Sequence, residues 1–138
     1  MLLGPVNWLA IIVATLASMA LGFGWYALLA KQWVAALGRQ PMQPGDAGMG
    51  NSPTPFIWSA LMQLVMAYFL ALLTAKVFGA TNVGNAVQLG FWLWLGFVLT
   101  SMITNHRYQQ SKWSLTIIDA GYMLGVLLVQ GVVIGLFG

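Results

Sequence analysis

Cysteine is absent from this chain of 138 residues. The absence excludes disulfide bonds, a thiolate nucleophile and cysteine-ligated metal sites. Charged residues are also scarce, with five Lys or Arg and two Asp or Glu. So few basic residues cannot form a nucleic-acid surface, and we expect no nucleic-acid partner. No run of polar sequence is long enough for a separate soluble domain, so we expect one domain over residues 1–138.

Apolar residues dominate the composition. They make up 60% of the chain, and the mean hydropathy is +0.85. Four apolar stretches run from Pro5 to Ala30, Phe56 to Phe78, Ala86 to Ile103 and Ser114 to Phe137. A transmembrane helix needs roughly 20 apolar residues to cross a hydrocarbon core of about 30 Å. The sequence therefore predicts an all-α integral membrane protein in which four transmembrane helices, at about 5–30, 56–78, 86–105 and 114–137, form one antiparallel bundle.

The connection 31–55 divides into two parts. Trp33, Val34 and Leu37 share one side of a short helix, which we expect to lie in the lipid headgroup region. The rest is a loop rich in Pro and Gly that ends at Pro55, a residue suited to the first turn of the second helix. The connection 80–85 is short, which predicts that the second and third helices are antiparallel neighbours.

The basic residues predict the orientation of the bundle. Lys31 and Arg39 lie in the connection 31–55, Arg107 and Lys112 lie in the connection 106–113, and Lys76 alone lies on the other side. Short connections that carry Lys and Arg stay in the cytoplasm. We therefore expect both of these connections inside and both termini outside.

Small residues recur at helical spacing in two of the predicted helices. In lipid, helices associate through close backbone approach at small residues, because lipid tails are as apolar as leucine. The residues that we expect at helix contacts are Ala10, Ala14, Ser18, Gly22, Gly121, Gly125, Gly131 and Gly135.

Helix four has a polar side and a glycine side. At about 100° per residue, Asp119, Tyr122 and Gln130 share one side and the glycines lie opposite. Neither side suits lipid, and four helices cannot easily enclose one of their number completely. We therefore expect a homo-oligomer with helix four near the subunit interface. Gln63 of helix two completes the candidate intramembrane polar site.

Asp119 is the only acid within a predicted helix, where a charge costs about 3 kcal/mol. Two interpretations stay open. In the first, Asp119 binds a nearby base or a side-chain donor of helix one, and the candidates are Arg107, Lys112, His106, Tyr26 and Trp25. In the second, it binds an ion or titrates a proton in a hydrated cavity that it lines with Tyr122 and Gln130.

No sequence motif in the chain indicates a particular catalytic reaction. One His and two Asp cannot build a dedicated metal or haem pocket within one chain. Ser111 has no nucleophile elbow around it, and the glycines of 45–50 lack the spacing of a phosphate-binding loop. We therefore expect no enzymatic activity, no cofactor and no metal.

Five segments carry a family resemblance: Asn7-Trp8-Leu9-Ala10, Gly22-Phe23-Gly24-Trp25-Tyr26, Trp33 with Leu37-Gly38, Leu93-Trp94-Leu95-Gly96-Phe97 and Asp119-Ala120-Gly121-Tyr122. Together they resemble the bacterial membrane proteins of the DUF1761 family, whose function is unknown. The resemblance implies a four-helix protein of the bacterial inner membrane, with no activity or catalytic residue to carry over. The family pattern often has a Pro soon after the Trp-Tyr pair, where this chain has Ala27-Leu28-Leu29, and often has Asn in place of Asp119. The resemblance therefore does not make a charge at Asp119 essential.

Taken together, these patterns favour a non-enzymatic, homo-oligomeric structural or accessory component of the membrane. Its expected partners are the lipid bilayer, further copies of itself and another membrane protein complex. The alternative is a small transporter or channel with a proton- or cation-linked pathway lined by Asp119, Tyr122, Gln130 and Gln63. A third class, an enzyme acting on lipid, rests only on the polar residues of 106–113.

Overall fold

The computed structural model describes residues 6–37 and 53–138, and within these ranges every regular element is a helix. In chain order they are α1 (Trp8–Leu28), α2 (Ala30–Leu37), α3 (Thr54–Phe78), α4 (Val83–Leu93), a π-helical segment (Trp94–Leu99), α5 (Thr100–Tyr108) and α6 (Trp113–Phe137). Four helical stretches are long and apolar enough to cross a membrane: α1, α3, the continuous stretch Val83–Tyr108 and α6. They correspond to the four predicted helices and indicate a multi-pass membrane protein.

Helix α1 begins later than the sequence analysis predicts. Asn7 has an extended backbone, and its side-chain oxygen accepts a hydrogen bond of 3.2 Å from the Ala10 N–H. This N-cap satisfies an N–H of the first turn and fixes the start of the helix at Trp8. At the other end, Leu29 leaves helical geometry, with φ −108° and ψ 18°, and separates α1 from α2.

Helix α2 occupies the position of the short helix predicted after the first apolar stretch. It packs on the beginning of α6, where Ala36, Leu115 and Ile118 form a small buried cluster. Helix α2 is therefore packed against the bundle through α6. The Pro- and Gly-rich part of the connection, 38–52, lies outside the described residues.

Helix α3 begins and ends at residues typical of helix ends. Pro55 lies in its first turn, where the missing N–H costs no hydrogen bond. Gly79 ends the helix with φ 74°, a left-handed conformation that glycine adopts without strain. Asn82 then caps α4 by accepting a hydrogen bond of 2.8 Å from the Asn85 N–H.

The third membrane-length stretch extends beyond the predicted end at residue 105. His106 and Arg107, which the sequence analysis placed in a connection, lie in the last turn of α5. Basic side chains interact favourably with a helix C-terminus, so these polar residues can extend the helix rather than end it. The chain leaves the helix at Tyr108, and Gln110 follows with φ 57°.

Helix α6 lies against other helices of the same chain along both of its flanks. On the glycine side, Gly131 and Gly135 lie against the backbone of Ala86 and Val83 in α4. On the polar side, side chains of α6 bind groups of α1 and α3. The coverage of α6 that the sequence analysis expected from a second copy is therefore supplied within one chain. The buried core of the bundle includes Ile11, Ala14, Ala67, Leu70, Ala86, Leu127 and Ile134.

Candidate functional site

Asp119 is half-buried near the beginning of α6, where it faces a tyrosine of α1. Its Oδ1 accepts a hydrogen bond of 2.7 Å from the Tyr26 hydroxyl. The Tyr26 ring makes edge-on contacts with the rings of Trp33 and Tyr122, at centroid distances of 5.5 and 5.1 Å. These two contacts hold the Tyr26 ring in place and direct its hydroxyl at the carboxylate.

The three basic candidates for binding the acid bind other groups. The Arg107 guanidinium donates to Thr116 Oγ1 at 2.9 Å and lies 3.7 Å above the Trp113 ring, a cation–π contact. His106 Nδ1 lies 2.7 Å from the same threonine hydroxyl. Lys112 Nζ donates to a backbone carbonyl of α2 at 3.3 Å. Of the five candidates, the structure brings only Tyr26 into hydrogen-bond contact with the acid, within the part of the chain that it describes.

Gln63 of α3 is the centre of a second polar cluster, which joins three helices. Its Oε1 accepts a hydrogen bond of 2.5 Å from the Ser18 hydroxyl of α1. Its Nε2 donates to the Tyr122 hydroxyl of α6 at 2.7 Å and to Ser59 Oγ at 2.9 Å. Gln63 is only 5% exposed, so each of these bonds satisfies a group that would otherwise be buried without a partner.

Gln130 extends this cluster along α6. Its Nε2 donates to Ser18 Oγ at 3.2 Å and to the backbone carbonyl of Gln63 at 3.1 Å. Its Oε1 is buried with no partner among the described residues. Ser18, which the sequence analysis counted as a small packing residue, therefore also acts as a polar bridge. We call these five residues the Gln63 network: Ser18, Ser59, Gln63, Tyr122 and Gln130.

The predicted polar site is thus present as two neighbouring groups. Asp119 binds Tyr26, whereas Tyr122, Gln130 and Gln63 belong to the Gln63 network. The edge-on contact between the rings of Tyr26 and Tyr122 connects the two groups. No hydrogen bond among the described residues runs from one group to the other.

Two tryptophans bind the backbone beside Asp119: Trp25, a candidate for binding the carboxylate itself, and Trp94, which the sequence analysis missed. Trp25 Nε1 donates to the Ile118 carbonyl at 3.1 Å, and Trp94 Nε1 donates to the Ala120 carbonyl at 2.8 Å. These carbonyls belong to the residues on either side of Asp119. A backbone carbonyl gives no sequence signal, so no sequence pattern could have found these two bonds.

The predicted packing residues contact helices of the same chain. A Cβ on Gly22 would lie 2.8 Å from the Tyr122 hydroxyl, so glycine makes room for this member of the network. Gly121 and Gly125 likewise adjoin side chains of α1, at 3.0 and 2.8 Å from the position of an added Cβ. The other members of the α1 stripe are buried: Ala10, Ala14 and Ser18.

A cavity of about 520 Å³ lies between α1, α2, the beginning of α3 and α6. Its wall includes the side chains of Tyr26, Ser59 and Tyr122, and so reaches both polar groups. The rest of the lining is largely apolar and includes Phe23, Trp33 and Phe56. The volume is in the range of about 300–1,000 Å³ that is usual for small-molecule sites. We call it the Tyr26 cavity.

Comparison with known proteins connects this site to a family. The model of the family described as protein of unknown function (DUF1761) matches residues 9–135. The chain belongs to this family. The match confirms the resemblance drawn from the five segments, and it covers both polar groups and nearly all of the four membrane-length helices. No curated protein and no solved structure gives a significant match.

Proposed function

We propose that this protein is a non-enzymatic structural or accessory component of a bacterial inner membrane, the location that the family resemblance implies. The observation that carries the proposal is that the interior polar side chains bind one another across helices. Gln63 connects α3 to both α1 and α6, and Tyr26 connects α1 to Asp119. In lipid, interhelical hydrogen bonds contribute about 0.6–2 kcal/mol each, so these bonds stabilise the bundle.

The proposed arrangement is one antiparallel bundle with both termini outside and the connections 31–55 and 106–113 in the cytoplasm. Close contacts between α4 and α6 support it, because Ala86 lies by Gly131 whereas Gly90 lies by Leu127. The residue numbers rise along one helix as they fall along the other. Since the chain has no cysteine, Ser111→Cys and Thr81→Cys each provide a single labelling site. A membrane-impermeant thiol reagent added outside should label Thr81→Cys alone, and the reverse pattern would invert the orientation.

We place the homo-oligomer contact on the third membrane-length stretch rather than on α6. Gly96, Thr100 and Thr104 are exposed at a spacing of four residues, and a Cβ on Gly96 would meet no atom within 4 Å. The two threonine hydroxyls donate to carbonyls of their own helix at 2.9 Å. A stripe of small residues with satisfied hydroxyls suits close approach of a second helix in lipid.

The substitution Gly96→Leu tests this contact. A leucine would hold two copies apart, so the oligomeric fraction in lipid nanodiscs should fall when it is measured by mass photometry at several protein concentrations. Gly24→Leu is the matched control, because an added Cβ at Gly24 also meets no atom within 4 Å, but on α1. A wild-type protein that is monomeric at every concentration, or an oligomer that Gly96→Leu leaves intact, would refute the proposal.

One observation favours the alternative function, a small transporter or channel. The Tyr26 cavity reaches Tyr122, a residue of the predicted pathway, beside the hydroxyl that binds Asp119. Asp119→Asn keeps an acceptor oxygen for Tyr26 but cannot ionise. Proton or cation flux into reconstituted vesicles that Asp119→Asn abolishes would support transport. Flux no greater than in protein-free vesicles would support the structural role.

A further inference from the structure

We propose that the Tyr26 cavity binds a membrane lipid through an acyl chain and the neutral carbonyl oxygen of the ester that carries it. The cavity has an apolar body and a polar wall. Phe23, Trp33 and Phe56 line the part between α1, α2 and the beginning of α3, and Ser59 and Tyr122 are polar residues of the same lining. A flexible apolar chain with one hydrogen-bond acceptor matches this distribution.

The hydroxyl protons of Ser59 and Tyr122 lack good hydrogen-bond acceptors among the described residues. Ser59 and Tyr122 both accept from Gln63 Nε2, so each hydroxyl retains its own proton to donate. The acceptor that Ser59 Oγ finds is the Met19 sulfur at 3.5 Å, and a thioether is a weak acceptor. Even where one of the two hydroxyls donates to the other, one proton is left with no better acceptor than this sulfur among the described residues. A carbonyl oxygen in the cavity would accept it.

The Asp119 carboxylate beside the cavity favours a ligand with a neutral carbonyl over a ligand with a second carboxylate. Tyr26 lines the same cavity, and its hydroxyl donates to Asp119 Oδ1 at 2.7 Å. A free fatty-acid anion would bring a second carboxylate towards this one, at a cost that a low-dielectric surrounding increases. An ester carbonyl offers the same acceptor geometry without the charge.

The depth of the hydroxyls fits the ester region of a bilayer. Ser59 lies five residues after Thr54, the first residue of α3, which is about 7.5 Å along the helix axis. A helix of 25 residues is about 37 Å long and exceeds a hydrocarbon core of about 30 Å by roughly 4 Å at each end. Ser59 therefore lies close to the edge of the core, at the level where acyl chains join their headgroups.

The experiment compares two phosphatidylcholines of equal chain length, one with ester-linked and one with ether-linked chains. The purified, delipidated protein in detergent is titrated with each, and bound lipid is counted by native mass spectrometry. The ester lipid should bind about fivefold more tightly, the effect of one hydrogen bond of ordinary strength. Equal affinity for the two lipids would overturn the proposal. A long-chain quinone that displaces the ester lipid at lower concentration would overturn the ester as the source of the carbonyl.

Variants separate a specific site from general lipid adhesion. Tyr122→Phe and Ser59→Ala should each reduce the preference for the ester lipid, whereas Tyr68→Phe, which removes a hydroxyl outside the cavity, should retain it. Because the first two variants also alter the Gln63 network, Ala27→Phe provides a second route. Ala27 is an exposed residue of the cavity wall, and a phenylalanine there should fill the cavity and abolish binding. Ala75→Phe, exposed on α3 away from the cavity, should bind as the wild type does. Full binding by Ala27→Phe would refute the site.

Discussion

The hydroxyl of Tyr26 in α1 donates a hydrogen bond of 2.7 Å to Asp119 in α6, although 93 residues separate the two in sequence. A second hydrogen bond lies beside it, from the Trp25 Nε1 to the carbonyl of Ile118 at 3.1 Å. Two consecutive residues of α1 thus bind two consecutive residues of α6. Gly121 gives the Trp25 ring its space, since an added Cβ would lie 3.0 Å from it. This contact fixes both the rotation and the depth of α6 relative to α1.

The segments that carry the family resemblance meet around this contact. Residues of 22–26 bind residues of 119–122 or lie against them. Trp94, from 93–97, donates to the carbonyl of Ala120, and Trp33 contacts the ring of Tyr26. Described residues from four of the five segments therefore meet around the beginning of α6. Part of the family resemblance thus rests on residues that join α1 to α6.

The first prediction concerns the bond from Tyr26 to Asp119. Tyr26→Phe should lower the free energy of unfolding by about 1–2 kcal/mol, because it removes the only hydroxyl in this bond. Asp119→Asn should cost less, because the amide oxygen can still accept. Titration with SDS in mixed micelles, followed by circular dichroism, measures both.

Tyr68→Phe is the control for this pair of variants. It removes the same atom from a half-buried ring that stacks on Trp8 at a centroid distance of 5.4 Å. If Tyr26→Phe and Tyr68→Phe had equal stabilities, the hydrogen bond to Asp119 would not be what holds α1 to α6.

The second prediction ranks the two buried glutamines. Gln63→Leu removes hydrogen bonds to three side chains and should cost about 2–3 kcal/mol. Gln130→Leu removes two donated bonds but also an acceptor that has no partner among the described residues, so it should cost less. The same unfolding titration compares them. The reverse order would mean that Gln63 is not the centre of the network.

The third prediction concerns the contact between α4 and α6. An added Cβ on Gly135 would overlap the backbone of Val83, so Gly135→Ala should force the two helices apart and cost about 1–3 kcal/mol. Gly24→Ala makes the same chemical change at a position where no atom lies within 4 Å, and alanine is the better helix former. It should leave the midpoint of thermal unfolding unchanged or raise it. A loss of stability in Gly24→Ala equal to that in Gly135→Ala would exclude the backbone contact as the cause.

The fourth prediction is a double-mutant cycle between Gly22 and Tyr122. Gly22→Ala places a methyl group 2.8 Å from the Tyr122 hydroxyl, which must then move away from Gln63. In a Tyr122→Phe background this hydroxyl is absent, so Gly22→Ala should cost less there than in the wild type. Contacting residues typically show coupling energies of about 0.5–3 kcal/mol. Strictly additive effects would mean that Gly22 does not provide the space that the Tyr122 hydroxyl occupies.

The sequence allowed the polar residues of the site to be proposed but not their pairing. Asp119, Tyr122 and Gln130 share a side of one helix, and that follows from helical periodicity alone. The choice of Tyr26 over His106 and Arg107 required the third stretch to continue as helix beyond residue 105, which carries these two residues to the hydroxyl of Thr116. A run of polar residues after an apolar stretch can be a last helical turn or a loop, so polarity alone does not predict where the helix ends.

What the sequence determined by itself is the set of membrane-length helices and several of their ends, because these depend on local properties. The length of an apolar run sets the span, and residues such as Pro55 set a helix end through their own backbone chemistry. What only the tertiary structure decided is the partner of each buried polar group and the position of the Tyr26 cavity. These depend on how far each helix is rotated and shifted against its neighbours, so that Ser18, Gln63 and Tyr122 meet in space although they are distant in sequence.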